Sequence, residues 1–392
     1  PRFVLTCRAA DWQAYAATEI AQDYARPLLC HLDPIARDDA LAWLAATCPG
    51  VDAKAAFALL DERGLIELTG NPLTLQMIAG VVGDHGTLPH SRAELYDMAV
   101  RRAWREENND RATGALAQLE EGAALDGAGA LCAAMLVGRH DAITTAGVAL
   151  AGEALSVAAA AALPGAAAAR VVLGSRLFRP DAPGRLVPLH KAVAEYLGGR
   201  WLAQQVGRRS AKRLLARLQP AGIVPAQLRG LHAWLPHFSS MLGDGAIACD
   251  PYGVLRYGEV DALPGPMARR LLDELVALAA RDPWFRAGDW MTYGVVGLMR
   301  DELATTIDAL IAANDTNEHL RALLIEGLRG TVLAGRLAST LETILFDQAR
   351  FYRERYDALQ ALEPVRPFEW QLETLERLRA LADEDSTRIA VE

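Results

Sequence analysis

The apolar positions of this chain recur mostly at a helical spacing of three to four residues. Two such clusters lie between residues 38 and 60, and the turn-forming pair Pro49-Gly50 separates them. The clusters therefore predict two short helices, with Leu41, Trp43 and Leu44 in the first and Phe57, Leu59 and Leu60 in the second.

Two further helices are marked by their starting residues. Asn71-Pro72 predicts a helix start because proline is tolerated at the first helical position, and Leu73, Met77, Ile78 and Val81 would form its apolar face. Ser91 and Glu94 have the spacing of a capping box and predict the next start. That helix is expected to fade in the polar run 106–110, which we interpret as a domain boundary.

Strand patterns are short and confined to two places. Phe3 to Thr6 predicts a buried strand, and a chain that opens on a sheet strand is expected to be a fragment that lacks its beginning. Residues 171–178 and 185–189 flank the turn 181–184 and predict a β-hairpin. A helix from His190 to about Gln204 follows, and helices, a two-stranded wing and a final helix are typical of a winged-helix domain.

Beyond Gln205 the pattern is helical only. Amphipathic helices are predicted at Met267–Ala280, Gly288–Met299, Leu303–Ala313, His319–Leu328 and Thr331–Phe346. We interpret them as stacked helix pairs of the armadillo or HEAT type, although the sequence shows no clean period.

Composition narrows the class of protein. The 392 residues are 52% hydrophobic and 23% charged, which is typical of folded globular chains, and the net charge of −9 is unlike that of a dedicated nucleic-acid binder. The longest uncharged stretch, 154–169, is broken by Pro164-Gly165, so no membrane span is expected. The five scattered cysteines predict reduced thiols in a cytoplasmic protein.

No complete catalytic motif is present. A phosphate-binding loop needs a lysine beside a glycine, but the three lysines Lys54, Lys191 and Lys212 follow alanine or histidine. His85 and His90, and likewise His232 and His237, lie five residues apart and miss the spacing of paired helical metal ligands. We interpret these four histidines as loop and surface residues.

Arg8 is the first of three candidate nucleotide contacts. It follows the predicted strand at the carboxyl end, where open α/β sheets bind ligands, and could reach a terminal phosphate there. The alternative is a salt bridge at the strand end.

Pro72 is the second candidate. A proline at the start of an apolar helix presents a rigid, flat surface that could cover an adenine ring. The alternative is an ordinary helix start.

His190 is the third candidate. With Lys191 it stands at a helix amino end, where free N–H groups favour anions such as phosphate. The alternative is a capping histidine, with Val193, Leu197 and Trp201 as core contacts of the helix.

In order and spacing, these segments resemble the latter half of NACHT-type NTPases, which belong to the STAND class of signalling ATPases. The resemblance rests on Thr6-Cys7-Arg8, Asn71-Pro72-Leu73, Leu95-Tyr96 and the segment from His190 to Leu197. It implies that Arg8 is a sensor arginine, that Pro72 packs on adenine and that His190 contacts the ADP phosphate in the resting state. Glu195 and Tyr196 would be structural members of the His190 motif.

The resemblance implies a mainly α chain with four parts. These are the end of an α/β P-loop NTPase core (1–30), a helical domain (31–112), a winged-helix domain with a β-hairpin (113–205), and a helical linker with a repeat-like region (206–392). The Walker motifs and the Mg²⁺ site would lie before Pro1, so this chain alone is not expected to hydrolyse ATP. The intact protein would exchange ADP for ATP, form homo-oligomers on activation and bind a protein ligand through its C-terminal helices. Such a bacterial sensor would act in antiphage defence or regulation; the alternative is a helical scaffold that uses no nucleotide.

Nucleic-acid binding through the predicted winged helix is not expected. Residues 141–169, which would include a recognition helix, contain no Lys or Arg to neutralise phosphates. The one basic stripe comprises Arg208, Arg209, Lys212, Arg213 and Arg217. We interpret it as the solvated face of an amphipathic helix whose inner face carries Leu214, Leu215 and Leu218.

Overall fold

The computed structural model describes residues 34–62, 65–85, 88–110, 118–145, 154–160, 162–163, 166–182, 184–286, 293–381 and 383–391. These residues are mainly helical and include one small four-stranded sheet, which confirms the mainly α class. The chain divides into two compact units, one of Pro1–Gln205 with Ala216–Leu231 and one of Val206–Leu215 with His232–Glu392. No helix in the described ranges is long and apolar enough to cross a bilayer. The predicted strand at residues 3–6 and the predicted end of an NTPase core at 1–30 lie outside the described residues.

Four helices share an apolar core at the start of the described part of the first unit. They are α1 (Arg37–Thr47), α2 (Ala53–Glu62), α3 (Pro72–His85) and α4 (Arg92–Asp110). Leu44, Leu60, Ile78 and Leu95 are fully buried in this core, which confirms the helical pattern predicted there. Helix α4 ends at Asp110, the last residue of the polar run 106–110 in which it was expected to fade, and the domain boundary there stays a prediction.

Local capping residues set the starts of α3 and α4. The Asn71 Oδ1 accepts hydrogen bonds from the backbone N–H groups of Leu73 (2.9 Å) and Thr74 (3.4 Å). The Ser91 Oγ accepts from the Glu94 N–H at 3.1 Å, and the Glu94 carboxylate in turn accepts from the backbone N–H of His90. The predicted capping box is therefore formed, with its return bond one residue before Ser91.

Two helices form the centre of the rest of this unit. Helix α5 (Glu121–Val137) packs along a helix that begins after the sheet, at residues 191–204, and the two approach closely at glycines. A Cβ atom at Gly129 would lie 2.8 Å from the carbonyl oxygen of Leu197 and from the Cβ of Trp201. Only glycine fits there, so the small residues of α5 set the spacing of the pair.

The sheet lies between these two helices in sequence and has the order β2-β1-β4-β3. Strand β1 (Ala142–Thr144) pairs parallel with β2 (Ala154–Ser156) and antiparallel with β4 (Arg185–Pro188). Strand β3 (Phe178–Ala182) completes the hairpin with β4, and Gly184 in the turn has a φ of 72°. Short helices α6 (Val157–Ala160) and α7 (Ala169–Val172) lie between β2 and β3.

The hairpin prediction is right around the turn and wrong at its start. Val171 and Val172 belong to α7, which packs against α5, and the strand begins only at Phe178. Packing has overridden the strand preference of these β-branched residues. Strands β1 and β2 were not predicted, because three residues are too few to show a two-residue alternation.

After β4 the remaining helices follow without further named strands in the described ranges. They are α8 (Lys191–Gln204), α9 (Ala211–Leu218), α10 (Arg229–Ala233), α11 (Leu235–Phe238), α12 (Ser240–Cys249), α13 (Pro251–Tyr257), α14 (Gly265–Arg281), α15 (Ala304–Ala312), α16 (Glu318–Leu328), α17 (Val332–Arg336), α18 (Ala338–Phe346), α19 (Tyr352–Leu362), α20 (Phe368–Leu381) and α21 (Glu384–Ile389).

The five helices predicted after residue 265 agree with these bounds to different degrees. The one predicted at 267–280 is α14, which is longer by two residues at its start and by one at its end. Those at 303–313 and 319–328 agree within about one residue. The one predicted at 331–346 is two helices, because the chain breaks at Leu337. Of the one predicted at 288–299, residues 288–292 lie outside the described residues, and Tyr293–Leu298 is a 3-10 helix.

A short polar turn recurs between successive helices of the second unit. Asp250, Asp282, Asn317, Asp347 and Asp383 stand in these turns about 33 residues apart, and the side chain of each accepts a hydrogen bond from a backbone N–H two or three residues later. The second unit is thus built from helix pairs with one turn chemistry. The assignment to the armadillo or HEAT type stays a prediction.

Buried arginines connect one helix pair to the next. Arg286, Arg321 and Arg355 are each at least nine-tenths buried and lie about 35 residues apart. Their partners are acidic residues further along the chain: Arg286 Nη2 lies 2.7 Å from Glu326 Oε2, Arg321 Nη2 lies 2.8 Å from Glu354 Oε1, and Arg355 Nη1 lies 3.4 Å from Asp383 Oδ1. A buried arginine with an acidic partner further along the chain therefore recurs in the second unit, as the polar turns do.

Candidate functional site

His190 occupies the N-cap position of α8, directly after the hairpin. Its Nδ1 accepts a hydrogen bond from the Ala192 N–H at 3.1 Å, and its side chain is exposed. An imidazole whose Nδ1 accepts a hydrogen bond carries its proton on Nε2. Val193, Leu197 and Trp201 are buried, which confirms the predicted cap with its core contacts.

Lys191 and Glu195 form the next turn of the same helix. The Lys191 Nζ lies 3.9 Å from Glu195 Oε1, and Glu195 is only 4% exposed. Glu195 also packs against Gly230, where an added Cβ atom would lie 2.2 Å from its Oε2. The charge of Lys191 is thus directed partly towards a buried carboxylate, which leaves His190 as the more exposed of the two candidates at this helix start.

Tyr196 joins α8 to α4. Its ring stacks on that of Tyr96 with the centroids 5.5 Å apart, and its hydroxyl lies 3.5 Å from Asp97 Oδ1. Burial, with a smaller contribution from Asp97, raises the pKa of the Tyr196 phenol well above its ordinary value. The hydroxyl therefore stays protonated and can donate to Asp97 at physiological pH.

Asp97 extends this contact to α5. The Arg101 Nε lies 2.6 Å from Asp97 Oδ2, and the same guanidinium also pairs with Glu121 at the start of α5. Sequence reasoning missed Asp97 and Arg101. The only local signal is their four-residue spacing on one helix, which is shared by many surface ion pairs.

Pro72 stands at the first position of α3 and is exposed. The neighbouring residues hold it in place: Asn71 caps the helix, and the buried Thr74 donates its hydroxyl to the carbonyl of Leu68. The proline ring is therefore a rigid surface that a planar group could contact.

The structure describes two of the three predicted nucleotide contacts. Arg8 lies outside the described residues. Helix α3, which begins with Pro72, packs against α4, and α4 also packs against α8, which begins after His190. The two helices thus share one neighbour, and Tyr196 and Asp97 make part of that connection.

The four histidines set aside from metal binding have different environments. His90 is exposed, as expected, and His85 is the last residue of α3. His232 is fully buried in α10, so its interpretation as a surface residue is wrong. Burial lowers the pKa of His237, which is partly exposed. Within the described ranges, no three His, Cys, Asp or Glu side chains are grouped to hold a metal ion.

Comparisons of this chain with known protein families, with curated proteins and with solved structures find no match.

Proposed function

We propose that this chain is part of a nucleotide-switched signalling ATPase of the STAND class, with His190 contacting the phosphates of bound ADP. The observation that carries the proposal is the capped geometry of His190. His190 is exposed at the start of a helix, where the backbone N–H groups and the helix dipole favour an anion such as phosphate. The exposed ring of Pro72 fits the adenine contact that the resemblance implies.

In this proposal the nucleotide stabilises one of two conformations. ADP supplies a polyanion that favours the state in which His190 reaches it, and loss of that contact favours the open, oligomeric state. ATP and Mg²⁺ would be held by the segment before Pro1. The sheet with α5 and α8 would be a winged-helix domain, and the second unit would sense a protein ligand. The setting we propose is the cytoplasm of a bacterium, in antiphage defence or regulation.

Replacement of His190 tests this role in the protein that includes the upstream segment. Aspartate at position 190 keeps a good helix cap but carries a negative charge, so His190→Asp should weaken ADP binding by roughly 10- to 100-fold, the cost of a hydrogen bond to a charged group with added repulsion. ADP content after purification, the ADP dissociation constant and the oligomeric state by light scattering are the measurements.

The exposed His90 provides the matched control. His90→Ala removes an imidazole from the same unit and should change neither ADP binding nor oligomeric state. Unchanged ADP retention and an unchanged oligomeric state in His190→Asp would refute the proposed contact.

A helical scaffold that uses no nucleotide is the second candidate. The helix pairs of the second unit favour it, because they expose large apolar side chains such as Trp284 (65%), Val332 (85%) and Phe368 (66%). The two functions are separated by thermal unfolding of the upstream-extended protein with and without ADP. A rise in the melting temperature with ADP concentration supports the switch, and its absence supports the scaffold.

A further inference from the structure

One stretch of this acidic chain carries no acidic residue. From Tyr196 to Gly243 there is no Asp or Glu, whereas the chain as a whole has 49 of them and a net charge of −9. The same stretch contains Arg200, Arg208, Arg209, Lys212, Arg213, Arg217 and Arg229. Positive charge is therefore concentrated in one segment instead of being interspersed with negative charge.

Four of these cations lie within six residues at the start of α9, and from here on the name basic stripe is kept for these four alone, without Arg217: Arg208, Arg209, Lys212 and Arg213. All four side chains are exposed, while Leu214 and Leu218 on the other face of the helix are buried. The amphipathic helix predicted here is confirmed for residues 211–218, with Leu215 half-buried, while Arg208 and Arg209 precede it. Arg217, one turn further on, is exposed as well.

The cations of the basic stripe lack the acidic partners that other exposed arginines have. Arg37 and Arg336 are more than half exposed, and each is paired with an aspartate, Asp61 and Asp301. Among the described residues, no ion pair or side-chain hydrogen bond is formed by the four cations of the stripe. Lys212 and Arg213 also stand in the first turn of α9, where the helix dipole disfavours positive charge. The stripe therefore costs stability in the isolated chain, and a ligand that is anionic would relieve that cost.

The chemistry of the stripe favours a phosphate backbone over other anionic partners. The apolar face of α9 is buried, so the helix cannot insert into a bilayer. A protein partner draws most of its affinity from apolar and aromatic anchors, and the four residues of the stripe supply none. Binding to nucleic acid needs only cations that displace counterions from phosphates. Residues 202–231 contain no Phe, Tyr or Trp, which argues against stacking on single-stranded bases.

We propose that Arg208, Arg209, Lys212 and Arg213 form a docking surface for the phosphate backbone of a double-stranded nucleic acid. The surface reads no sequence, because recognition of base edges needs side chains placed in a groove. DNA and RNA duplexes share the phosphate chemistry and are the two sources of it. This surface is distinct in sequence from the predicted winged-helix recognition segment at 141–169, which contains no Lys or Arg.

The test is fluorescence anisotropy of the full chain with labelled 20-base-pair DNA and RNA duplexes between 50 and 200 mM KCl. Four phosphate contacts predict a slope of about −4 in log K against log salt, which is a loss of roughly 100-fold in affinity over this range. The variant R208Q/R209Q/K212Q/R213Q should lose at least about 100-fold in affinity at 50 mM KCl and most of the salt slope. The variant R208K/R209K/R213K should retain both, because phosphate contacts need charge and no particular fork geometry.

The matched control carries the same change in net charge at exposed arginines elsewhere: R37Q/R269Q/R270Q/R336Q. It should bind the duplexes as the unmodified chain does. Binding of at least one duplex with these variant effects supports the proposal, and melting temperatures of the variants check that each is folded. The proposal is overturned by no duplex binding at 50 mM KCl, by salt-independent binding, by an equal loss in the control, or by tighter binding of polyglutamate than of either duplex, which would indicate an acidic protein partner.

Discussion

Replacement of Arg321 by methionine is expected to lower the free energy of unfolding of the second unit by about 3–5 kcal/mol, the range for one partner removed from a buried ion pair. Glu354 is fully buried, and both of its oxygens accept hydrogen bonds from the Arg321 Nε at 3.1 Å. After Arg321→Met, the cation that remains beside Glu354 is Arg350, whose Nη1 lies 3.6 Å from Glu354 Oε2. The substitution thus removes every hydrogen bond from Arg321 to a fully buried carboxylate and leaves it one cation, Arg350, at a longer distance.

Arg321 also donates hydrogen bonds to backbone carbonyl groups of a turn. Its Nη1 donates to the carbonyl oxygens of Asn314 (3.2 Å) and Thr316, in the turn that follows α15. Methionine offers no donor to these carbonyls, so part of the loss comes from unsatisfied backbone acceptors.

A double-mutant cycle in urea unfolding measures this effect. Arg321→Met/Glu354→Leu removes both charges and should recover much of the stability lost in Arg321→Met, because the buried carboxylate is gone. Arg329→Met is the control, since Arg329 is exposed and donates to Gln360; it should cost less than about 1 kcal/mol. A loss below about 1 kcal/mol in Arg321→Met would show that the pair does not stabilise the unit.

Stability of the second unit is expected to fall as the pH rises from about 4 to above 7. Burial raises the pKa of Asp357 from 3.8 to about 7, and the nearby Glu326 raises it further while Arg353 and Arg286 oppose the shift. A carboxyl whose pKa is higher in the folded state than in the unfolded state binds its proton more tightly when folded. Its contribution is complete below pH 3.8 and is lost as the pH rises through 7, by about 4 kcal/mol at about 1.4 kcal/mol per pH unit.

Asparagine at position 357 isolates this contribution. Asp357→Asn keeps the shape and an acceptor for Arg353, whose Nε lies 3.0 Å from Asp357 Oδ2, but it cannot ionise. Urea unfolding from pH 3.5 to pH 8.5 should show that the variant is more stable than the unmodified chain at pH 8.5 and that this difference shrinks steadily towards pH 3.8. Asp273→Asn, at an exposed position of α14, should leave the pH dependence unchanged. Equal pH profiles for the chain and Asp357→Asn would contradict the expectation.

Local sequence signals predict the parts of this fold that depend on neighbouring residues. The starts at Asn71-Pro72 and Ser91 follow from side chains that bond backbone groups two or three positions away. The hairpin turn follows from Gly184 itself, whose φ of 72° lies in the region that favours glycine. The repeat of the second unit could not be predicted from the sequence because corresponding helices differ in length: α14 has 17 residues and α15 has 9. The apolar positions therefore do not recur at a constant interval along the chain.

In the candidate site, too, local features can be predicted from the sequence and long-range contacts cannot. The position of His190 before an amphipathic helix is visible in the sequence, and both of its interpretations follow from that position. Which ring nitrogen the helix uses is visible only in the structure, where the Ala192 N–H donates to Nδ1. The contact of Tyr196 with Tyr96 and Asp97 could not be predicted, because it joins residues about 100 positions apart.

The sequence by itself determined the mainly helical class, the helix caps and the amphipathic basic helix at 211–218, because each depends on spacing within one or two turns. The tertiary structure alone decided that Val171 is helical, that His232 is buried and that Arg321 meets Glu354, 33 residues away. A burial or an ion pair is fixed by what packs against a side chain, and those neighbours come from distant parts of the chain.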